Sequence, residues 1–103
     1  MIVRECLEQW LRRYGEPFWI GAQTAYGFFM QPPAGLLRWL FSSEALAELA
    51  RPLWALLATP DVAVFPQTTL SWRNARYRVL YTLEFYVGTT MLYRLAIIEA
   101  IQV

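Results

Sequence analysis

The last quarter of the chain predicts one long β-hairpin with two apolar faces. Residues 75–101 form two strand-like runs around the turn signal Val87-Gly88-Thr89. A hairpin with one exposed face should alternate between apolar and polar side chains. One face of the first strand carries Tyr77, Val79, Tyr81, Leu83, Phe85 and Val87, and the other carries Arg78, Leu80, Thr82, Glu84 and Tyr86. Because large apolar groups occupy both faces, each face needs to be covered by other structure.

Two sources of cover for the second face fit this pattern. Apolar residues make up 57% of the chain, above the usual ~45–50%, so the excess is expected in a core, a membrane or a contact with a partner. A helical segment of the same chain, residues 36–58, is one source of cover. A neighbouring subunit is the other, since tyrosine and tryptophan are residues that protein interfaces favour. The pattern alone leaves both open.

The signals along the rest of the chain predict a single α+β domain over residues 1–103. They are an N-terminal helix over 3–14, a hairpin over about 17–31, a helical insertion over about 36–58 and a β-rich part over 62–101. Many short strands are most simply accommodated by curling a sheet on itself. We therefore expect a small, partly closed antiparallel β-barrel or sheet with a short N-terminal helix and a helical insertion.

Local signals refine these elements. Gly15 is expected to end the first helix, and Pro52 to break or kink the helical insertion. Residues 62–66 and 68–72 are strand candidates, and Arg73–Ala75 a turn. In the first hairpin the inward candidates are Phe18, Ile20, Phe28 and Met30.

The residue types that carry catalysis are sparse. The chain has no histidine, which removes the commonest general base. Glu84 and Glu99 are the two carboxylates of the long hairpin, and pairing the strands around Gly88 keeps them apart. The sequence holds no Cys/His cluster and no glycine-rich phosphate loop. We therefore expect a protein that is not an enzyme, with no cofactor, no metal site and no small-molecule substrate.

One uncharged stretch is long enough to raise the question of a membrane helix. Residues 17–37 carry no charge. Gln23, Gln31 and the pair Pro32-Pro33 interrupt this stretch, and three glycines punctuate it. The pattern is typical of a hairpin followed by a loop, so we expect no membrane partner.

Clustered arginines give an alternative function. All nine basic residues are arginine, and the net charge is only +1. Arginines interleaved with aromatic residues can hold single-stranded nucleic acid by stacking and charge. The residues in question are Arg73, Arg76 and Arg78 with Trp72 and Tyr77. The alternative is therefore a small nucleic-acid-binding module, for which affinity should fall steeply with salt.

Three stretches of this sequence resemble a known family. They are "LEQWLRRYGEPFWI" near the start, "AYGFFMQP" after it, and the closing "ARYRVLYTLEFYVGTTMLYRLAII". Together they are similar to small head–tail connector proteins of tailed phages and prophages, of the stopper or head-completion type. The similarity covers about half of the chain, at its two ends. The middle, residues 36–58, departs from the family pattern because it is richer in leucine and tryptophan.

The resemblance implies a structural virion protein of the phage neck. Its expected partners are portal or adaptor proteins, tail proteins and further copies of itself in a ring, with DNA passing through that ring. Its expected location is the virion, and the host bacterial cytoplasm during assembly. By the same resemblance a mobile loop, residues 32–43 or 66–69, would plug the channel. The roles of tail terminator and minor capsid protein stay open beside that of stopper.

The hairpin supplies the interface hypothesis that goes with this reading. Ring contacts are heterologous, so two different surfaces of each subunit have to be apolar. We expect the contact surface to be formed mainly by the second face of the hairpin. Its candidate residues are Trp72, Arg76, Arg78, Leu80, Tyr86, Leu92, Arg94 and Ile98.

Overall fold

Short helices and six strands make up the part of the chain that the structure describes. This computed structural model describes residues 2–48 and 53–101. The helices are α1 (Ile2–Tyr14), α2 (Ala34–Leu40) and α3 (Ser43–Glu48). The strands are β1 (Glu16–Ile20), β2 (Gln23–Met30), β3 (Leu53–Ala58), β4 (Thr69–Trp72), β5 (Ala75–Val87) and β6 (Thr90–Ala100).

The six strands form a closed antiparallel barrel. Their order around it is β1-β2-β3-β6-β5-β4, and the pairing of Trp19 with Ser71 joins β1 to β4 and closes the ring. The prediction of a small antiparallel β-barrel with short helices is confirmed. The prediction that the barrel is only partly closed is wrong. Closure gives every strand two neighbours over part of its length, which satisfies backbone groups that an open sheet would leave at its edges.

The first helix and the turns form where the sequence predicts them. The backbone N–H of Gly15 donates to the carbonyl of Leu11 at 2.8 Å, which ends α1 after Tyr14. The turn between β4 and β5 is made by Arg73 and Asn74, both with positive φ (50° and 61°). Such a two-residue turn matches the twist of the strands that it joins.

The predicted helical insertion over 36–58 is only partly helical. Residues 34–40 and 43–48 are helical, but Leu53–Ala58 is strand β3, so the helix prediction is wrong there. The kink predicted at Pro52 lies outside the described residues. An apolar run of six residues fits a buried strand as well as a helix segment when both of its sides are covered.

The segment between β3 and β4 is a loop rather than the strand predicted over 62–66. Short turns hold it, with the N–H of Val62 donating to Thr59 and the N–H of Val64 donating to Val62. Val62 and Val64 are buried in the barrel core, so their apolar character serves packing without strand pairing. The loop, residues 59–68, returns the chain from β3 to β4.

Aromatic rings fill the barrel interior. Trp72 stacks on Phe29 with ring centroids 3.8 Å apart and planes at 5°, and meets Trp54 edge to face at 5.1 Å. Phe18 adds a further edge contact to Phe29 at 5.6 Å. Tyr77 closes the cluster beside Trp72 at 5.7 Å. Rings of this size bury large apolar areas, so this cluster is the main core of the barrel.

The side chains of β2 that point into the barrel differ from those predicted. Phe18 and Ile20 of β1 contact the core as expected. On β2 the inward residues are Ala25 and Phe29, whereas Met30 is exposed. Phe28 and Met30 were therefore wrong as inward candidates, because the pairing of Phe18 with Ala25 sets the opposite alternation on β2.

A second, smaller core lies outside the barrel wall. Leu37 of α2 packs there with Leu53 and Ala55 of β3 and with Ile97 of β6. Leu36, Leu40, Phe41, Leu80 and Leu95 surround it. Helix α2 of the same chain therefore covers the outer face of the sheet along β3 and around Ile97 of β6. A partner is not needed to cover that part.

The backbones of β2 and β3 approach so closely at Gly27 that a side chain has no room. A Cβ atom there would collide with Leu56 Cδ1 and lie 2.8 Å from the carbonyl oxygen of Leu57. We expect Gly27→Ala to lower the free energy of unfolding by about 1–3 kcal/mol, because the backbone of β3 has to move. Urea denaturation of the purified protein measures this.

Gly35 provides the matched control for Gly27→Ala. It lies in the first turn of α2, with nothing within 4 Å of an added Cβ. Gly35→Ala should raise stability by about 0.4–1 kcal/mol, because the unfolded chain loses conformational freedom. Equal effects of the two substitutions would contradict the close approach at Gly27.

Candidate protein-interaction site

A bulge at Leu80 divides the closing hairpin into two parts. Val79 pairs with Ile98, but the next paired residue, Tyr81, pairs with Ile97, so Leu80 is an extra residue on β5. A bulge of this kind shifts the alternation of side chains by one. Val79 is in the barrel core, whereas Tyr81 faces outward with Ile97. The prediction that Val79 and Tyr81 share one face is therefore wrong.

Beyond the bulge, β5 has no pairing with β4, and the hairpin continues as an arm. We define the arm as residues 81–87 and 90–93. β4 pairs with β5 only as far as Arg78, and β3 pairs with β6 only from Arg94 to Glu99. Within the described residues, residues 85–87 and 90–93 pair only with each other, whereas residues 81–84 pair with residues 94–97 of β6, which also pair with β3. The tip of the arm therefore extends beyond the closed barrel, and its base is continuous with the barrel wall on one side only.

The outer face of the arm is apolar and exposed. We call Tyr81, Leu83, Phe85 and Val87 the arm patch. Three of these four side chains are exposed, at 40% for Tyr81, 38% for Phe85 and 60% for Val87. Phe85 stacks on Tyr93 of the return strand with ring centroids 4.6 Å apart. This stacking orders the patch and presents ring faces and edges to solvent.

The inner face of the arm is anchored to the barrel by one buried arginine. Arg94 is only 5% exposed, and its Nη1 donates to the carbonyl of Val62 at 2.9 Å. Its guanidinium lies 4.7 Å from the ring centroid of Phe65, and its Nη2 lies 3.5 Å from Glu84 Oε1. Arg94 therefore connects the loop over residues 59–68 to the base of the arm.

Tyr86 extends this polar cluster towards the tip of the arm. Its hydroxyl donates to Glu84 Oε2 at 2.9 Å. The hydrogen bond to Glu84 and the negative charge of that carboxylate raise the pKa of Tyr86, while the nearby Arg94 lowers it to a smaller extent. A raised pKa means that this bond stabilises the fold below the ordinary tyrosine pKa. The contribution is lost as the pH rises through the raised value.

Four of the eight predicted interface residues pack inside the protein. Trp72, Arg94 and Ile98 are buried within the barrel. Leu80 packs against the second core beside α2. Trp72, Arg94 and Ile98 are therefore corrected as contact residues, because the closed barrel leaves them almost no exposed surface. Leu80 is only partly buried, so its place at a contact stays a prediction.

The other four predicted interface residues remain at the surface. Arg76 and Arg78 are exposed on β5 beside the barrel, and Arg78 Nη2 forms an ion pair with Glu99 Oε1 at 2.5 Å. Tyr86 is exposed and Leu92 is partly buried, and both lie in the arm. The part of the predicted interface that a partner can reach is therefore divided between the arm, with Tyr86 and Leu92, and the barrel, with Arg76 and Arg78.

The arginines and aromatic residues of the nucleic-acid alternative do not form an open stacking surface. Trp72 and Tyr77 are buried in the barrel core. Arg73 lies over the Trp72 ring at 4.6 Å, and its Nη2 pairs with Glu16 Oε1 at 2.7 Å. Because the rings are buried, bases cannot stack on them without opening the barrel.

A second exposed aromatic patch lies on α1, whose apolar residues form a stripe at helical spacing. Leu11 is buried, but Trp10 and Tyr14 are 62% and 61% exposed. Their rings meet edge to face at 5.8 Å, and the guanidinium of Arg13 lies 5.5 Å from the Tyr14 ring. We call Trp10 and Tyr14 the helix patch. A helical stripe alone does not reveal which of its residues the sheet covers.

A cavity of about 290 Å³ lies between α1, β2 and the loop after β3. Its charged lining residues are Glu8, Arg12 and Asp61, and Leu11 and Val62 are among its apolar ones. Within residues 2–48 and 53–101, no three His, Cys, Asp or Glu side chains are grouped closely enough to hold a metal ion. None of the helices in the same ranges has the length and apolar character needed to span a bilayer.

Comparisons with known proteins identify no relative. No family model matches the chain, and neither a curated protein nor a solved structure is significantly similar to it.

Removing the buried arginine should loosen the attachment of the arm. We expect Arg94→Met to lower the free energy of unfolding by about 1–3 kcal/mol, because the buried charged hydrogen bond to Val62 is lost and that carbonyl keeps only the N–H of Val64 as a donor. Glu84→Gln is the control, with an expected loss below about 1 kcal/mol, since the Glu84 side chain is 39% exposed. Denaturant unfolding compares the two. Equal losses would show that Arg94 does not act through Val62.

The pKa of Tyr86 tests the polar cluster without unfolding the protein. We expect Glu84→Gln to lower this pKa towards 10.0, because the accepting carboxylate charge is removed. Arg94→Met should raise the same pKa further, because a nearby positive charge is lost. Titration of the Tyr86 ring carbon by NMR measures both, and Tyr86→Phe assigns the signal. Shifts of the same sign in both variants would contradict the arrangement.

Proposed function

We propose that this protein is a structural component of the head–tail connector, or neck, of a tailed phage or prophage. It acts by contact between its own copies and by contact with portal or adaptor proteins and with tail proteins. The observation that carries the proposal is the arm patch, an ordered apolar surface outside the closed barrel. The resemblance of the chain's two ends to connector proteins gives the assembly in which this surface is used.

The arm patch has the character of a contact surface rather than of a core. The barrel core around Trp72 is complete without the arm residues. Aromatic residues are enriched at protein–protein interfaces. A contiguous apolar patch exposed on a small protein also marks such an interface. Burying them against a partner would gain roughly 25 cal/mol for each Å² removed from water. The arm therefore supplies surface for association at little cost to the fold.

Two separate patches support a ring of identical subunits. A ring needs heterologous contacts, in which one surface of each subunit meets a different surface of the next. The arm patch and the helix patch are different surfaces on different elements, and both contain exposed aromatic rings. We propose that the arm patch of one subunit contacts the helix patch of its neighbour in the assembled ring.

Both loops named as channel plugs are attached to the barrel. Residues 32–43 include α2, which packs on β3 and β6 through Leu37. Residues 66–69 form a turn in which the N–H of Gln67 donates to Val79 and Thr68 accepts from the N–H of Val79. A plug role for either loop would require these contacts to break, so the proposal places function on the arm instead.

The proposed location can be tested directly in particles. Phage-like particles are purified after prophage induction from the strain that encodes the chain, and their proteins are identified by mass spectrometry. The proposal expects this chain at a few copies per particle, cross-linked to portal or tail proteins. Finding it only in the soluble fraction, while major capsid protein is abundant in the particles, would overturn the proposal.

A charge at the tip of the arm should prevent incorporation into particles. We expect Val87→Glu to reduce the copies per particle by roughly tenfold or more. Burying an unpaired carboxylate at a contact costs more than the about 1.4 kcal/mol that corresponds to tenfold. Quantitative mass spectrometry of particles from the complemented strain measures this change.

Gln31→Glu is the matched control for Val87→Glu. It adds one carboxylate at another exposed position, between β2 and α2. This variant should enter particles at the wild-type level, and both variants should unfold at the same denaturant concentration as wild type. Normal incorporation of Val87→Glu would remove the arm from the contact.

A further inference from the structure

The outer edge of β5 in the arm is an unprotected strand edge. On this edge β4 pairs with β5 up to Arg78, and Gln67 and Thr68 bond to Val79. Beyond Val79 the only described strand that pairs with β5 is β6, on the opposite edge. Soluble proteins protect such edges with lysine, proline or inward-pointing charges. Residues 80–87 contain no lysine and no proline, and their one charge is Glu84. This edge is therefore suited to pairing with another strand.

The sequence of this edge is complementary to itself in one antiparallel register. With Leu83 opposite Leu83 of a second copy, Tyr81 faces Phe85 and Thr82 faces Glu84 across the pair. Aromatic pairs directly opposite each other stabilise antiparallel strands, whereas like charges destabilise them. Moving the centre of the pair by one residue, to Glu84, would place two carboxylates opposite each other. Charge therefore favours Leu83 over Glu84 as the centre.

We propose that the free protein forms a twofold dimer in which the β5 edge of the arm pairs antiparallel with the same edge of a second copy, with Leu83 on the twofold axis. The partner is thus a second copy of this chain, bound through backbone hydrogen bonds. The paired segment, residues 81–85, begins just after the bulge at Leu80. It spans about 17 Å at the usual rise of a strand.

The geometry of the dimer limits its size. An isologous contact uses the same edge of both copies, so the association closes at two and does not continue into a fibre. The contact uses the edge of the arm, whereas the ring contact proposed above uses its outer face. The dimer is thus a property of the free protein and holds whether or not the protein is a neck component.

Opposite charges placed on the twofold axis test the dimer and its register together. Leu83 is partly buried on the outer face of the arm, so a charged side chain there can reach solvent. We expect wild type to have twice the 12.0 kDa mass of the chain by light scattering after gel filtration. Leu83→Lys and Leu83→Glu should each be monomeric, because like charges meet at the axis. An equimolar mixture of the two should restore the dimer.

Three results of the charge test would overturn the dimer. A monomer or a larger ring for wild type would overturn the proposal, and so would variants that stay dimeric alone. Variants that are monomeric both alone and mixed, while retaining the wild-type circular dichroism, would also overturn it. These experiments do not measure incorporation into particles. Failure of the dimer proposal therefore leaves the neck proposal standing, and failure of the neck proposal leaves the dimer proposal standing.

A cross-link provides a second test that does not need charges. Cys6 is exposed, so the background is Cys6→Ser. Directly opposed residues of antiparallel strands have Cα atoms within the range that a disulfide can bridge. Leu83→Cys should therefore form a disulfide-linked dimer under mild oxidation. Val87→Cys, on the same face but outside the paired segment, should stay reduced, and equal cross-linking of both would overturn the register.

Discussion

The packing of Trp72 inside the barrel is the interaction on which the rest of the structure depends. Its ring stacks on Phe29 from β2 and meets Trp54 from β3 and Tyr77 from β5. One side chain of the short strand β4 thereby contacts three other strands across the interior. The indole N–H groups of Trp54 and Trp72 have no acceptor among the described residues, a cost that the ring contacts have to offset.

The bulge at Leu80 decides how much of the hairpin belongs to this core. Before the bulge the odd-numbered residues Tyr77 and Val79 point inward. After it the odd-numbered residues point outward, so Tyr81 and Phe85 are surface residues instead of core residues. One extra residue therefore converts a core strand into an arm with an apolar outer face. The inner face of the arm becomes polar, with Glu84 and Arg94 held beneath the loop over residues 59–68.

The arm has two surfaces of different chemical character. Its outer face is a surface of aromatic and aliphatic side chains, suited to a partner of matching shape. Its β5 edge is a row of backbone donors and acceptors, suited to another strand. Arg94 links both to the barrel, because it holds the base of the arm by a hydrogen bond to the Val62 carbonyl and by contact with the Phe65 ring.

Local signals in the sequence are enough to predict three elements of this protein: the first helix ending at Gly15, a turn beginning at Arg73, and the long hairpin around Gly88. These depend on backbone preferences and on nearest neighbours, which a sequence displays directly. Tertiary packing, in contrast, sets Leu53–Ala58 as a strand, closes the barrel, and decides which hairpin residues are exposed. An apolar run covered on both sides has no period that separates helix from strand. The bulge at Leu80 leaves no signature in residue types, because its effect is to change which side of the sheet each later residue faces.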